Sequence, residues 1–305
     1  MSRRRTLALV IHGGAWDIPD DRVAVHRKGI ANAVQAGWDV LEDGGSAVEA
    51  VEQSIVTMED DETFDAGRGS ALNEAGEVEL DAGIMSGKLH RAGSVAGVQN
   101  VLHPISLARA IMEDGECVML VGRGASRFAR EHRVPTCSQD DLITERQIEL
   151  WREAHLSEGR VARRNSARRA ADTVGAVALD GMGDIAAGTS TGGPLNRRPG
   201  RVGDTPLIGC GTYADNAVGG VSVSGDGEAM ISAVMAKSVI DLMSRNGEDP
   251  EGAAREGIAL LASHGRGKGG IIVVSRAGTI GVAFNTPRMA RGYMTSSIKS
   301  PRVIV

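Results

Sequence analysis

The 305-residue sequence predicts an α+β fold in which hairpin-like strand pairs and amphipathic helices share one chain. Two stretches and the composition carry that expectation. Residues 172–180 (DTVGAVALD) and 185–193 (IAAGTSTGG) are dense in small and β-branched residues and flank Gly181-Met182-Gly183, the pattern of two strands and a tight turn. Behind Ser46 and Glu49, which form a capping-box pair, Val48, Val51, Ile55 and Met58 recur at helical spacing and mark a core-facing helix. Glycine accounts for 41 residues, close to twice the roughly 7% of average proteins, while aromatics are 3%. Backbones are therefore expected to approach closely, with Ala, Val, Ile, Leu and Met filling the core.

In chain order, residues 7–11 read as a buried strand ending at His12-Gly13-Gly14-Ala15, where glycines admit another backbone; a tight turn and a site wall both fit. His12 fits a packed histidine. Asp20 or Asp21 is placed to cap a helix through Glu42 that closes at Gly44-Gly45, and the Ser46 helix follows. Residues 59–69 (EDDETFDAGRG) have the composition of a solvated loop or helix end. A helix is expected at 104–114, a strand at 117–121 and a helix at 123–132. Thr144 and Gln147 resemble a second capping box, opening a helix to about 158. Residues 159–172 carry Arg160, Arg163, Arg164, Arg168 and Arg169 with little to bury, as a solvated, protease-accessible linker does. After the hairpin come a loop and short strand (198–215), a long helix at 225–245 and another at 249–263. A second hairpin joins 271–274 to 279–284 around Arg276-Ala277-Gly278.

The 34 Lys+Arg against 39 Asp+Glu give a net charge of −5, which argues against nucleic acid or a membrane surface as the main partner. Cys117, Cys137 and Cys210 are too few and scattered for a disulfide framework or a cysteine-rich metal site and fit a reducing cytoplasm. The apolar run at 7–11 is shorter than a signal-peptide core of about 7–15 residues, and no stretch approaches the roughly 20 apolar residues of a membrane span. A cytoplasmic protein is expected.

If the hairpin turns on Met182, residues whose numbers add to 364 face each other, and Thr173 lies opposite Thr191 at roughly 5 Å. A bulge would turn one hydroxyl away, and threonines also pair in strands for packing alone. The arginine-rich segment runs straight into the strand at Thr173, so a cut after Asp172 would make Thr173 a new N-terminus. Such a threonine carries its own base, an α-amino group titrating near roughly 7.7–8.0. Ser224-Gly225, at the start of the expected 225–245 helix, offers free N–H groups to a developing oxyanion. A rival class rests on Gly122 and Gly124, which follow a strand as in a dinucleotide fingerprint but with Arg127 in the third position, and on Gly209-Cys210-Gly211. A non-catalytic binding protein would require Thr173 to be lost, and it is present.

The central hairpin, RPGRVGDTPLIGCGTYADNAVGGVSVSGDG behind it, VIHGGAW (10–16), FDAGRGSALNEAGEVELDAGIM (64–85) and AGSVAGVQNVLHPISLARAIME (92–113) together resemble the isoaspartyl peptidase and plant-type L-asparaginase family. These are relatives of glycosylasparaginase among the N-terminal-nucleophile hydrolases. The resemblance implies a four-layer αββα sandwich of two mostly antiparallel sheets between helix layers. It further implies a single domain self-cleaved into 1–172 and 173–305, paired as homodimers of such units. The implied reaction is hydrolysis of β-aspartyl amides, L-asparagine or β-aspartyl dipeptides, through an acyl-enzyme on Thr173, with Thr191 at its side and no catalytic cofactor. Ser224 and Gly225 would hold the oxyanion. Arg201 would fork the substrate carboxylate and Asp204 take its ammonium, with Gly227 assisting, although spacing alone favours a surface ion pair. Backbone carbonyls of Met58, Glu59, Asp61, Phe64, Ala66 and Arg68 would hold a sodium or potassium ion. Glycosylasparaginase activity is the alternative, since Asp172 precedes the nucleophile there too. Two departures stand out: Asp65 where the family commonly has asparagine, and Ser224 where it commonly has threonine.

Overall fold

The computed structural model describes residues 6–156, 172–245, 247, 249–264 and 267–305. Apart from Asp172, the expected linker at 159–172 lies outside the described residues. Eight strands form the larger sheet: β1 (Ala8–Trp16), β2 (Leu80–Ser86), β3 (Arg91–Val98), β4 (Met119–Val121), β5 (Val174–Leu179), β6 (Ile185–Thr191), β11 (Arg288–Thr295) and β12 (Arg302–Ile304). Their order is β12-β11-β1-β5-β6-β2-β3-β4, and β3 with β4 is the parallel pair. The smaller sheet, antiparallel throughout, has the order β10-β9-β8-β7, from β7 (Thr212–Asp215), β8 (Gly219–Gly225), β9 (Gly269–Ser275) and β10 (Ile280–Phe284). Helices α1 (Val23–Glu42), α2 (Ala47–Glu59) and α3 (Pro104–Asp114) cover the large sheet. Next come α4 (Gly122–Glu131), α5 (Gln139–Leu142), α6 (Glu145–Leu156) and the short α7 (Gly227–Ser232). Then α8 (Met235–Arg245) and α9 (Pro250–Ser263) cover the small sheet.

The layering follows from strand alternation. Leu9, Ile11, Ala176 and Ala178 face the helices of the large sheet, while Val10, Val177 and Leu179 meet Ile272 and Val274 between the sheets. Val221, Val223, Ile271 and Val273 turn the other way, onto Met235, Val239 and Leu261. Strands buried on both faces need small apolar side chains throughout, which accounts for the glycine, alanine and valine content. This is the expected αββα sandwich. No helix among the described residues is long and apolar enough to cross a membrane.

Several local expectations are corrected. Strand β1 does not stop at His12 but continues to Trp16 through an irregularity between His12 and Ala15, the glycine pair absorbing the change of register. Asp20 and Asp21 form a 3-10 turn with Arg22 instead of capping α1. The Ser46–Glu49 box is complete, but Gln147 turns its amide to the Gly69 carbonyl (2.7 Å), leaving half a box at Thr144. Gly225 does not open a long helix: it closes β8, and α7 and α8 are separated at Val234, whose φ is 45°. A Cβ at Gly225 would lie 2.2 Å from the Lys268 carbonyl oxygen, so the close approach of β8 to the chain entering β9 requires glycine there. Nor is 59–69 simply solvated. Glu59 is fully buried, accepting from the Ser190 hydroxyl (2.6 Å) and the Ile105 N–H (3.1 Å). Gly122 does open a helix after a strand, but β4 is a three-residue edge strand of a mostly antiparallel sheet, so the dinucleotide-binding alternative loses its fold.

Candidate active site

The hairpin has the expected register, with Val174 opposite Ser190 and Gly175 opposite Thr189. Thr173, just before β5, therefore meets Thr191: its hydroxyl donates to the Thr191 hydroxyl at 3.2 Å. Thr191 donates in turn to the Asp172 carbonyl at 3.0 Å and accepts from the Gly193 N–H at 3.0 Å. Behind them stands His12, fully buried, as the packed histidine read from the sequence would be. Its Nδ1 donates to the Thr173 carbonyl (2.9 Å), because a carbonyl can only accept. Nε2 must then accept from Ser222 Oγ (2.9 Å), which lies 2.8 Å from Thr189 Oγ1. Burial lowers the His12 pKa to about 4 against the opposing bond to Thr173, so at neutral pH the ring is an uncharged strut under the Thr173 backbone.

A cleft of about 650 Å³ opens over this pair. Asp172, Thr173, Thr191, Arg201, Asp204, Gly225 and Gly227 all line it. Ser224 sits behind the wall, its Oγ accepting the Ala15 N–H at 3.2 Å and keeping its own hydrogen to donate. Arg201 and Asp204 converge on the cleft without forming the ion pair their spacing allowed. Arg201 forks onto Glu228 through Nε and Nη2, both at 3.0 Å, a partner 27 residues away that sequence spacing did not suggest. Asp204 is buried with Oδ2 unpartnered, and burial lifts its pKa to about 7 against the pull of its own backbone N–H and of Arg201. A Cβ on Gly227 would lie 2.8 Å from Arg201 Nη2 and 2.9 Å from Asp204 Oδ1, so glycine lets both charged groups reach the same floor. The loop carrying Arg201 is pinned by buried Arg197, which bonds Asp81 (2.8 Å) and the Arg201 carbonyl (3.1 Å).

At the opposite wall, Asp65 Oδ1 accepts from the Ala71 N–H (2.7 Å) and Oδ2 faces the Asp172 N–H (3.4 Å). Burial raises the Asp65 pKa well above the carboxylate range, with the Ala71 bond opposing and the charge of Asp172 adding to the rise. Asp65 thus sits at the residue before Thr173. In the loop after α2, Arg68 N–H donates to the Glu59 carbonyl (2.8 Å) and Phe64 N–H to that of Asp61 (3.0 Å). A Cβ on Gly67 would come 2.6 Å from the Glu59 carbonyl oxygen, and one on Gly69 would come 2.9 Å from that of Glu62 and 3.1 Å from that of Phe64. Carbonyl oxygens gathered in a tight turn are the donor type for a hard cation, whereas no His, Cys, Asp and Glu cluster among the described residues suits a metal.

Two sheets between helical layers, with a polar cleft at the strand ends, define a hydrolase of the αββα class. The chain belongs to the asparaginase family: a family profile described as Asparaginase matches residues 5–304. It is 41% identical to an isoaspartyl peptidase/L-asparaginase of Xenopus laevis, over 92% of this chain and 90% of that protein. It is 42% identical to the protein of the same name from Bos taurus, over 92% and 91%. A plant-type L-asparaginase of Pyrococcus horikoshii is 42% identical over 97% and 98%.

Proposed function

We propose that the chain hydrolyses β-aspartyl amide bonds, in L-asparagine or β-aspartyl dipeptides, through an acyl-enzyme on Thr173 that it frees by cutting itself after Asp172. The observation that carries this reading is the hydrogen-bond chain from Thr173 Oγ1 through Thr191 to the Asp172 carbonyl. It supports reading Thr173 as the nucleophile and Thr191 as an oxygen-polarising donor at one peptide bond. Cutting turns the Thr173 amide nitrogen into an amine titrating near roughly 7.7–8.0, the base for its own hydroxyl. Substrate then enters with its α-carboxylate on Arg201 and its α-ammonium on Asp204. Gly225 N–H and the Ser224 hydroxyl receive the oxyanion. The acyl ester on Thr173 is released by water.

The names of the relatives support this substrate class. Asp172 before Thr173 favours a second reading, a glycosylasparaginase-type amide with the same aspartyl end. The rest of the proposal is a cytoplasmic homodimer of cleaved units without catalytic cofactor. A sodium or potassium ion on carbonyls among Met58, Glu59, Asp61, Phe64, Ala66 and Arg68 would stiffen the loop that carries Asp65. The test is release of aspartate from L-asparagine, a β-aspartyl dipeptide and a glycosylasparagine. Wild type turns over one or more of these and Thr173→Ala none; aspartate release by Thr173→Ala overturns the reading.

A further inference from the structure

The cleft has more wall than an aspartyl group uses. Arg201, Asp204 and Gly227 meet on one side of it, and Trp16, Asp17, Lys268, Thr286 and Pro287 line another stretch. These five belong to one continuous wall. Trp16 pairs with Arg288 across β1 and β11. Asn285, just before Thr286, donates its backbone N–H to the Gly269 carbonyl (3.0 Å), accepts the Gly269 N–H on its side chain (2.8 Å) and donates its amide to the Gly267 carbonyl (3.1 Å). Lys268 is thus held between two glycines that one asparagine clamps. On its other side the Lys268 carbonyl accepts the Asp226 N–H at 2.8 Å. The run Gly225-Asp226-Gly227 therefore lies between two stations: Gly227 packs on Arg201 and Asp204, whereas Gly225 and Asp226 pack on Lys268.

Among the described residues Lys268 is the one cation of this wall, and its exposed side chain makes no ion pair or hydrogen bond there. Arg201, the other cation of the cleft, is already forked onto Glu228. Thr286 spends its hydroxyl hydrogen on the Arg288 carbonyl (2.8 Å), Asp17 accepts when ionised, and Pro287 has no polar group. A negative group arriving at this wall therefore meets Lys268, an ammonium with three donors on a flexible four-carbon stem. With the oxyanion at Gly225 and the aspartyl end on the Gly227 side, whatever leaves with the amide nitrogen departs on the Lys268 side. The three candidate substrates differ there: L-asparagine releases ammonia, a glycosylasparagine an uncharged sugar amine, and a β-aspartyl dipeptide an amino acid whose carboxylate stands one carbon from the leaving nitrogen. We propose that Lys268 determines specificity by binding that carboxylate, so that β-aspartyl dipeptides are preferred to L-asparagine and to glycosylasparagines. This rests on the proposed function and names the leaving group that the cleft selects.

The test compares kcat/KM for β-aspartyl-alanine with that for β-aspartyl-alaninamide, which differ in the leaving carboxylate alone. Wild type should favour the free acid about 10-fold, the scale of a charged hydrogen bond at a wet site. It should also favour β-aspartyl-alanine over L-asparagine. Lys268→Met should bring the acid-to-amide ratio near one, and Lys268→Glu should invert it. Both substrates are read on one preparation, so a variant that matures or folds poorly lowers both values together and leaves the ratio intact. Wild type alone supplies a further arm, since 1 M salt should shrink its ratio toward one by screening an exposed pair. A wild-type ratio near one, a salt-independent ratio, a ratio that survives in Lys268→Glu, or a preference for L-asparagine overturns the proposal. If wild type turns over none of the three substrates, the proposed function itself fails and this inference falls with it.

Discussion

The Thr191 hydroxyl accepts from Thr173 at 3.2 Å and donates to the Asp172 carbonyl at 3.0 Å, so one side chain touches both partners of the proposed ester. Thr191→Val keeps the branched shape that suits β6 and removes only the hydroxyl. It should fold with an unchanged melting temperature to within a few degrees, yet cut itself about 100-fold or more slowly, the usual cost of one oxyanion donor. Timed gels of the two chains decide this; an equal rate would leave Thr191 a packing residue.

Arg201→Ala removes the proposed fork for the substrate carboxylate. A loss of roughly 2–4 kcal/mol of transition-state stabilisation, about 30- to 1000-fold in kcat/KM, is expected on L-asparagine and β-aspartyl dipeptides alike, with self-cleavage spared. Normal turnover by the mature variant would remove the clamp.

Asp204, as the proposed ammonium partner, should make substrate binding pH-dependent. Its pKa is raised to about 7 by burial, so the carboxylate that should receive the ammonium exists mainly above pH 7 and is lost below it. KM should rise as pH falls through 7 and level off above it. Asp204→Asn should have a high KM at every pH, without that rise. A wild-type KM that stays flat from pH 5.5 to 8.5 contradicts the assignment.

The position of Asp65 at the Asp172 N–H implies a carboxyl kept neutral by burial. A folded-state pKa raised above the unfolded value of about 3.9 gives stability that is present below that value and lost as pH rises toward the folded one. Asp65→Asn removes this loss, so its melting temperature should gain on wild type between pH 4.5 and 8. Its kcat/KM profile against pH should superimpose on that of wild type. A rising limb displaced to lower pH would instead show a carboxylate raising the pKa of the Thr173 amine.

The pairing of Thr173 with Thr191 was legible because small, β-branched residues on both sides of a three-residue turn leave one register that keeps both strands buried. Strand β8 was not expected, because the chain after Gly225 has helical composition and nothing local marks the strand–strand approach that holds Gly225 extended. Arg201 and Asp204 stood out as opposite charges in a glycine-rich loop, whereas Glu228 joins them only through the tertiary fold. His12 read as a packed histidine, which its full burial bears out, but its partner did not show. A single histidine among apolar residues carries no periodicity, and Thr173, whose carbonyl it holds, is 161 positions away.

The central claim is that Thr173 makes its own amino terminus. The intact mass of the purified protein under denaturing conditions tests it most directly. Wild type should resolve into two chains, residues 1–172 and 173–305, and Thr173→Ala into one chain near 31.8 kDa. A wild type that stays whole while active, or a Thr173→Ala protein found in the same two pieces, would contradict it.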